Sequence, residues 1–259
     1  MREPAVEPME VTEDSLLGGR VRLLQPRHGY RVAVDPVLLA AAVPARAGES
    51  VLDLGCGVGA AALCLATRVP GVRVEGLELQ PLNAELAVRN IGLNGLAERV
   101  AVHQGDLSVP PAGLAARRFD RIMMNPPFHP AGRHTRSPFA HKAVSHGEGA
   151  AGLADWVQAA LRLLSARGTL TIIHSAERLD RVVALLEGRF GGISILPLWP
   201  RAGEPARRII VHARRNVRSP SVLLPGLILH AEGQRYSAQA EAVLRDGASI
   251  SVVSDPNAA

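Results

Sequence analysis

The sequence predicts an α/β fold, a mostly parallel seven-stranded sheet with helices on both faces. Three observations predict it. From residue 50 onward, short apolar runs of strand character alternate with segments of helical period. That alternation persists for more than 150 residues, which calls for a parallel sheet buried on both sides. Apolar residues make up 47% of the 259-residue chain and charged residues 20%, so there is material for a real core beneath an ordinary surface.

The elements follow in order. Residues 1–13, acidic and proline-bearing, read as a disordered leader and do not resemble a secretory signal. Residues 14–49 form an N-terminal cap segment. Within it, "DSLLGGRVRLLQPRHGYRV" (14–32) alternates apolar positions with turn residues and suits a small hairpin laid across the main domain. "DPVLLAAAV" (35–43) reads as a helix with Asp35 as its N-cap and Pro36 in its first turn. The core spans 50–216. Its strands are expected at 50–55, 72–79, 99–106, 119–125, 168–175, 192–199 and 206–215.

Helices fill the gaps between these strands. "AAALCLATRV" (60–69) puts Ala62, Leu65, Ala66 and Val69 on one face, and 81–95 ends at a stop signal, Gly95. "LADWVQAALRLL" (153–164) spaces Leu153, Trp156, Val157, Ala160 and Leu164 helically, and Leu179, Val182, Val183 and Leu186 mark a further helix. Residues 217–259 are a C-terminal extension, with one short helix at 237–247 between a capping serine and a terminating glycine.

Composition excludes several classes. Cys56 and Cys64 are the only cysteines; their spacing fits neither a zinc site nor a disulfide framework, and both read as buried inert thiols in a small-residue helical stretch. His129, His134, His141 and His146 cluster without helical zinc spacing, so no metal is expected. No run of eighteen apolar residues occurs, so the chain is expected to be soluble and cytoplasmic, without a membrane span. The 29 basic residues exceed the 24 acidic ones, and all but Lys142 are arginines, a residue suited to phosphate contacts.

In an open α/β sheet, ligands bind beyond the carboxyl ends of the strands. Here the first core strand ends in Asp53-Leu54-Gly55-Cys56-Gly57-Val58-Gly59, a glycine loop leading into a helix. The second ends in Glu78, twenty-five residues after Asp53, where a carboxylate can accept both hydrogen bonds of a ribose diol. The third ends in Gly105-Asp106, an acid suited to an exocyclic amine. The fourth ends in Asn125-Pro126-Pro127-Phe128. Two consecutive prolines cannot lie inside a paired strand, so this is a rigid turn carrying a carboxamide and an aromatic ring. Gly55, Gly57 and Ala60 also satisfy a dinucleotide fingerprint. A dehydrogenase accounts for the first two acids and gives no reason for the third, or for the double proline.

"VLDLGCGVG", "ELQ", "QGDL" and "NPPF" together resemble the class I S-adenosylmethionine-dependent methyltransferases that modify planar nitrogens. The resemblance implies a Rossmann-like methyltransferase fold. It also implies cofactor contacts from Asp53, Gly55, Gly57 and Gly59 in the loop, from Glu78 and Leu79, from Asp106 and Leu107, and from Asn125. Asn125, Pro126, Pro127 and Phe128 would form the catalytic turn. The chemistry suits these residue types. An aromatic amine shares its lone pair with its ring; two acceptors, the Asn125 carboxamide oxygen and the Pro126 carbonyl, would localise and aim that pair. Pro127 stiffens the turn, and Phe128 offers a face on which a flipped-out base can stack.

The turn alone signifies a planar amine: adenine N6, guanine N2 or a glutamine amide. The flanks, "LLGGRVRLLQPRHGYRVAVDPVLLAAAV" (16–43), "PLWPRAGEPARRIIVHAR" (197–214) and "LILHAEGQRYSAQAEAVLR" (227–245), are similar to the bacterial tRNA adenine-N6 methyltransferases, which act on the adenine beside the anticodon of a valine tRNA. "NPPFHPAG" also resembles the rRNA guanine-N2 enzymes. A non-catalytic RNA-binding module on the same fold is the alternative from another class. For RNA contact, Arg133, Arg136 and Lys142 lie in the long polar segment 129–146 after the turn, and Arg207 and Arg208 in a second basic group; a solvated surface is the competing account for each.

Overall fold

A computed structural model describes residues 10–28, 31–128 and 151–253. It begins with an antiparallel hairpin, β1 (Val11–Leu16) and β2 (Val21–Pro26). Strand β1 therefore takes in residues 11–13, which the sequence had assigned to the leader; Val11 and Glu13 pair with Pro26 and Leu24. Helix α1 (Asp35–Ala42) follows, then β3 (Ser50–Leu54), α2 (Ala60–Arg68), β4 (Arg73–Glu78), α3 (Pro81–Leu93) and β5 (Val100–Gln104). A single turn of helix, α4 (Ala112–Ala115), precedes β6 (Phe119–Met124). After it come α5 (Leu153–Leu163), β7 (Leu164–Ser175), α6 (Leu179–Leu186), β8 (Phe190–Trp199) and β9 (Arg208–Arg215). The extension adds β10 (Val222–Leu223), β11 (Leu227–Ile228) and α7 (Ala238–Leu244).

The seven expected strands are all present, in the order β5-β4-β3-β6-β7-β9-β8. All neighbours are parallel except β9, which runs antiparallel between β7 and β8. Two strands were not foreseen: β10 and β11, each of two residues, pair in parallel with the outer edge of β8. They cover that edge, which would otherwise present unpaired backbone groups.

The pleat sends alternate residues to two cores. Val51 joins one with α1, α2 and α3, while Leu52 and Leu54 join the other with α5 and α6. Helix α2 is buried on every side over residues 60–66, more than the single face expected, because α1 packs against the surface opposite the sheet. Arg68 ties the two helices by donating from Nη2 to the carbonyls of Ala40 (2.9 Å) and Val43 (2.6 Å) at the end of α1. Asp35 is the first residue of α1 rather than its cap; Val34 holds the cap position and makes no side-chain bond there.

Two asparagines dock the hairpin. On α3, Asn90 Oδ1 accepts from the Leu24 N–H (2.7 Å), and its Nδ2 donates to the Leu24 carbonyl (2.9 Å) and to the Val58 carbonyl (3.0 Å). One turn later, Asn94 repeats the pattern with the Arg22 N–H (2.8 Å) and carbonyl (2.7 Å). A carboxamide carries the same donor and acceptor as a peptide group, so two of them at i and i+4 present β2 with a substitute strand. Among the described residues, no helix is long and apolar enough to cross a membrane.

Candidate active site

The site lies where β4, β3 and β6 end side by side. Leu54 pairs with Met124, so Gly55 and Asn125 are the next residues of two adjacent parallel strands. Such strands lie about 4.8 Å apart. The glycine loop and the double-proline turn thus open at one place.

Backbone bonds set the loop. Gly55 and Cys56 both donate to the Leu77 carbonyl, at 2.8 and 3.1 Å. Gly55 has φ +68°, and a Cβ there would stand 2.2 Å from the Trp156 ring. Only glycine suits both constraints. Trp156, expected as a core residue of α5, is therefore also the floor of the loop. At Gly57 (φ +56°) a Cβ would meet nothing within 4 Å, so this part of the loop faces open space. Cys56 lies in the loop itself, not in the helix; Cys64 is in α2. Burial raises both thiols, Cys64 to about 12, in keeping with inert groups.

Two carboxylates flank the loop. Glu78 is buried, and its oxygens accept from the N–H groups of Gly57 and Gln80, each at 2.8 Å. In a dinucleotide site a loop N–H of this kind would face pyrophosphate; here a carboxylate already holds it. Asp53 is 3% exposed, and its Oδ2 has no hydrogen-bond partner. Burial pushes its carboxyl up to about 8; a backbone bond from Ala62 opposes the rise, and the Glu78 charge adds to it. An orphaned acceptor beside a second acid suits a ligand bringing positively charged N–H donors. It does not suit a phosphate.

The remaining predicted contacts ring the same end. Asp106 is exposed, and its Oδ1 accepts from Ser108 N (2.7 Å), which leaves Oδ2 available. Leu79 is 58% exposed just past β4, and Leu107 is half-buried. A large apolar side chain that exposed, between two acids, suits the flat face of a ring.

In the turn, Pro126 is buried, Asn125 and Phe128 are half-buried, and Pro127 is exposed. The Phe128 ring meets His174 edge-on, with centroids 5.1 Å apart and planes at 62°. The Arg208 guanidinium lies over the ring, 4.4 Å from its centroid. His174 is 3% exposed, and burial holds its pKa below the usual value. The sequence marks His174 only as the penultimate residue of an apolar strand. Arg208, expected to contact RNA, is engaged within the protein, and Arg207 beside it is exposed. Arg133, Arg136, Lys142 and the four clustered histidines lie outside the described residues. Among the described residues no group of three or more metal-ligating side chains gathers.

Comparison with known proteins fits this geometry. The family model described as "Methyltransferase small domain" matches residues 32–196. A Porphyromonas gingivalis protein named tRNA1(Val) (adenine(37)-N6)-methyltransferase is 35% identical over 155 residues, 58% of this chain and 60% of that protein. A Yersinia pestis protein of the same name is 41% identical over 103 residues, 39% of this chain and 41% of its own length. The chain thus spans less than two thirds of the length of the curated relatives it matches, 60% and 41% of these two. Among solved structures, one titled a predicted O-methyltransferase, from Agrobacterium tumefaciens, superposes with a TM-score of 0.69 at 26% identity, over 84% of this chain and 98% of that one.

Proposed function

We infer the reaction from one premise: this chain belongs to the methyltransferase small domain family. It transfers a methyl group from S-adenosylmethionine to the N6 amine of an adenine in tRNA, the adenine beside the anticodon of a valine tRNA. The observation that carries this reading is the register between β3 and β6, which opens the glycine loop and the Asn125–Phe128 turn at adjacent strand ends.

S-adenosylmethionine supplies a methyl group already activated on a sulfonium, so the protein need provide neither metal nor covalent nucleophile. Asp53, with its orphaned oxygen, would take the ammonium at the methionine end. Glu78, fixed by Gly57 and Gln80, keeps a lone pair on each oxygen for the ribose hydroxyls. Asp106 would accept from the adenine amine of the cofactor, with Leu79 and Leu107 against its ring.

The target adenine stacks on Phe128. Asn125 Oδ1 and the Pro126 carbonyl each accept one N–H of its amine, which draws the lone pair out of the ring and aims it. The amine nitrogen takes the methyl and sheds one proton to solvent. Its acidity once methylated makes a strong general base unnecessary. An oxygen nucleophile, as the Agrobacterium structure's title suggests for that protein, would have at most one hydrogen for these two acceptors. A tRNA substrate places the reaction in the cytoplasm.

The test is methyl transfer from labelled S-adenosylmethionine to unmodified total tRNA, with nucleoside analysis, for wild type and Asn125→Ala. Label in N6-methyladenosine that disappears in the variant is the expected result. Label found only in rRNA guanine or in protein glutamine would retain the chemistry and replace the substrate. Bound RNA without any turnover would favour a non-catalytic binding module.

A further inference from the structure

The face of Phe128 on which Arg208 rests raises a question about that arginine. A guanidinium meant for RNA phosphate should project into solvent. Arg208 does not: its Nε donates to Asp35 Oδ2 at 3.1 Å, its Nη1 donates to the Arg207 carbonyl at 3.2 Å, and its Cζ sits 4.4 Å from the Phe128 centroid. Its side chain is 34% exposed and that of Asp35 15%. His174, one strand over on β7, meets the ring in a T-shaped arrangement. Arg208 occupies one face of Phe128, and the ring remains half-buried.

We propose that Arg208 is a positioning residue for the target base: gripped by Asp35, it holds Phe128 as a fixed stacking platform, and it is not a phosphate contact. The proposal rests on the reading above for what stacks on the ring. A ring already fixed from behind loses little freedom when a base arrives, and the base then meets Asn125 and Pro126 at a set height. The planar fork of arginine is needed because one plane must both stack on the ring and reach the carboxylate; an ammonium offers no plane. Asp35 contributes from the first turn of α1, so the clamp also joins the N-terminal segment to the catalytic turn.

The test uses the full chain with Arg208→Ala, Arg208→Lys and Asp35→Asn, each checked for a wild-type melting transition. Protein labelled with fluorophenylalanine carries four fluorine signals, one for each phenylalanine. Phe128→Leu identifies the one that belongs to the turn. The clamp predicts that this signal shifts in Arg208→Lys and Asp35→Asn while the others hold still. It also predicts a kcat for tRNA lowered about ten- to a hundredfold in both, with tRNA affinity and its salt dependence unchanged.

A phosphate contact predicts the reverse: a stationary fluorine signal in Asp35→Asn, near-normal kcat in Arg208→Lys, and in Arg208→Ala weaker tRNA binding with a salt slope reduced by about one. That pattern would overturn the proposal. If wild type methylates no tRNA, the substrate reading fails, and the fluorine arm still decides: a shifted signal supports the clamp and an unmoved one overturns it.

Discussion

The glycine loop and the Asn125–Phe128 turn leave neighbouring strands at the same end of the sheet, yet they are held by different means. The loop is wired largely by its own backbone and by residues of the next strand, with Gly55 and Cys56 on the Leu77 carbonyl and Gly57 on Glu78. The turn is rigid through its prolines, but its aromatic ring depends on Arg208, His174 and Asp35, from three distant parts of the chain. A cofactor site can therefore be carried as a contiguous motif. The substrate platform proposed for Phe128 is assembled only by the finished fold.

The strongest way to separate the two is Asn125→Ala. It removes an acceptor proposed for the target amine, so kcat should fall by roughly 10²–10³-fold. Calorimetric binding of S-adenosylhomocysteine should weaken by no more than about tenfold, because the loop is untouched and only one cofactor contact is lost; a loss of binding as large as that of kcat would unite the two regions.

A second break concerns Asn90, a buried side chain that reaches the loop from α3. Asn90→Ala leaves the Leu24 N–H and the carbonyls of Leu24 and Val58 without their partner. Each unsatisfied group costs about 1–3 kcal/mol, and partial rescue by water should leave a net loss of about 3 kcal/mol in urea unfolding. Asn94→Ala, at a more exposed position, should cost below about 1 kcal/mol. Equal losses would contradict the view that Asn90 is special through the loop.

Gly55→Ala comes next. Its Cβ would enter the Trp156 ring, and its φ is left-handed, so destabilisation of about 2–3 kcal/mol is expected. Trp156→Phe in the same protein should recover part of the steric cost and none of the backbone strain. Full additivity of the two substitutions would show that the ring is not the obstacle.

A further test is a pH dependence. Because the folded carboxyl of Asp53 titrates at about 8, far above an unfolded aspartate, the native state holds an extra proton between these values. The stability this contributes is full below the unfolded pKa and is lost as pH rises through about 8. A ligand ammonium prefers the ionised form, so cofactor binding must expel that proton. Affinity should rise with pH, by at most about tenfold per unit, to a maximum near 8, above which the ligand's own α-amino group loses its proton. Asp53→Asn should bind more weakly and with no such slope. A slope that survives in Asp53→Asn would assign the proton elsewhere.

The same contrast explains what was legible in the sequence. Runs such as Ile122-Met123-Met124 are apolar because both faces of a parallel strand are buried, so the core strands and their carboxyl ends could be read locally. The loop glycines and the three acids came with them. The roles of Asn90 and Asn94 were not readable, since an asparagine on a helix carries no sign that its partner is a strand more than sixty residues earlier. Asp35 before Pro36 is a sound capping signal, and it misled because Arg208 offers that carboxylate a stronger, charge-assisted bond. Trp156 has the spacing of a core residue and is one; that it also forbids a side chain at Gly55 belongs to tertiary structure.

The reversed direction of β9 has a consequence for how the protein is made. A parallel strand delivers its last residue to the ligand end of the sheet, but β9 delivers its first, Arg208, and does so from between β7 and β8. During synthesis, β7 and β8 both emerge before the strand that separates them. Until it inserts, each has an open edge, and Phe128 lacks the arginine above it. A nascent chain that has already shaped its glycine loop is thus still without its proposed substrate platform. Insertion of β9 between β7 and β8, with Arg208 173 residues after Asp35, is the step that completes it.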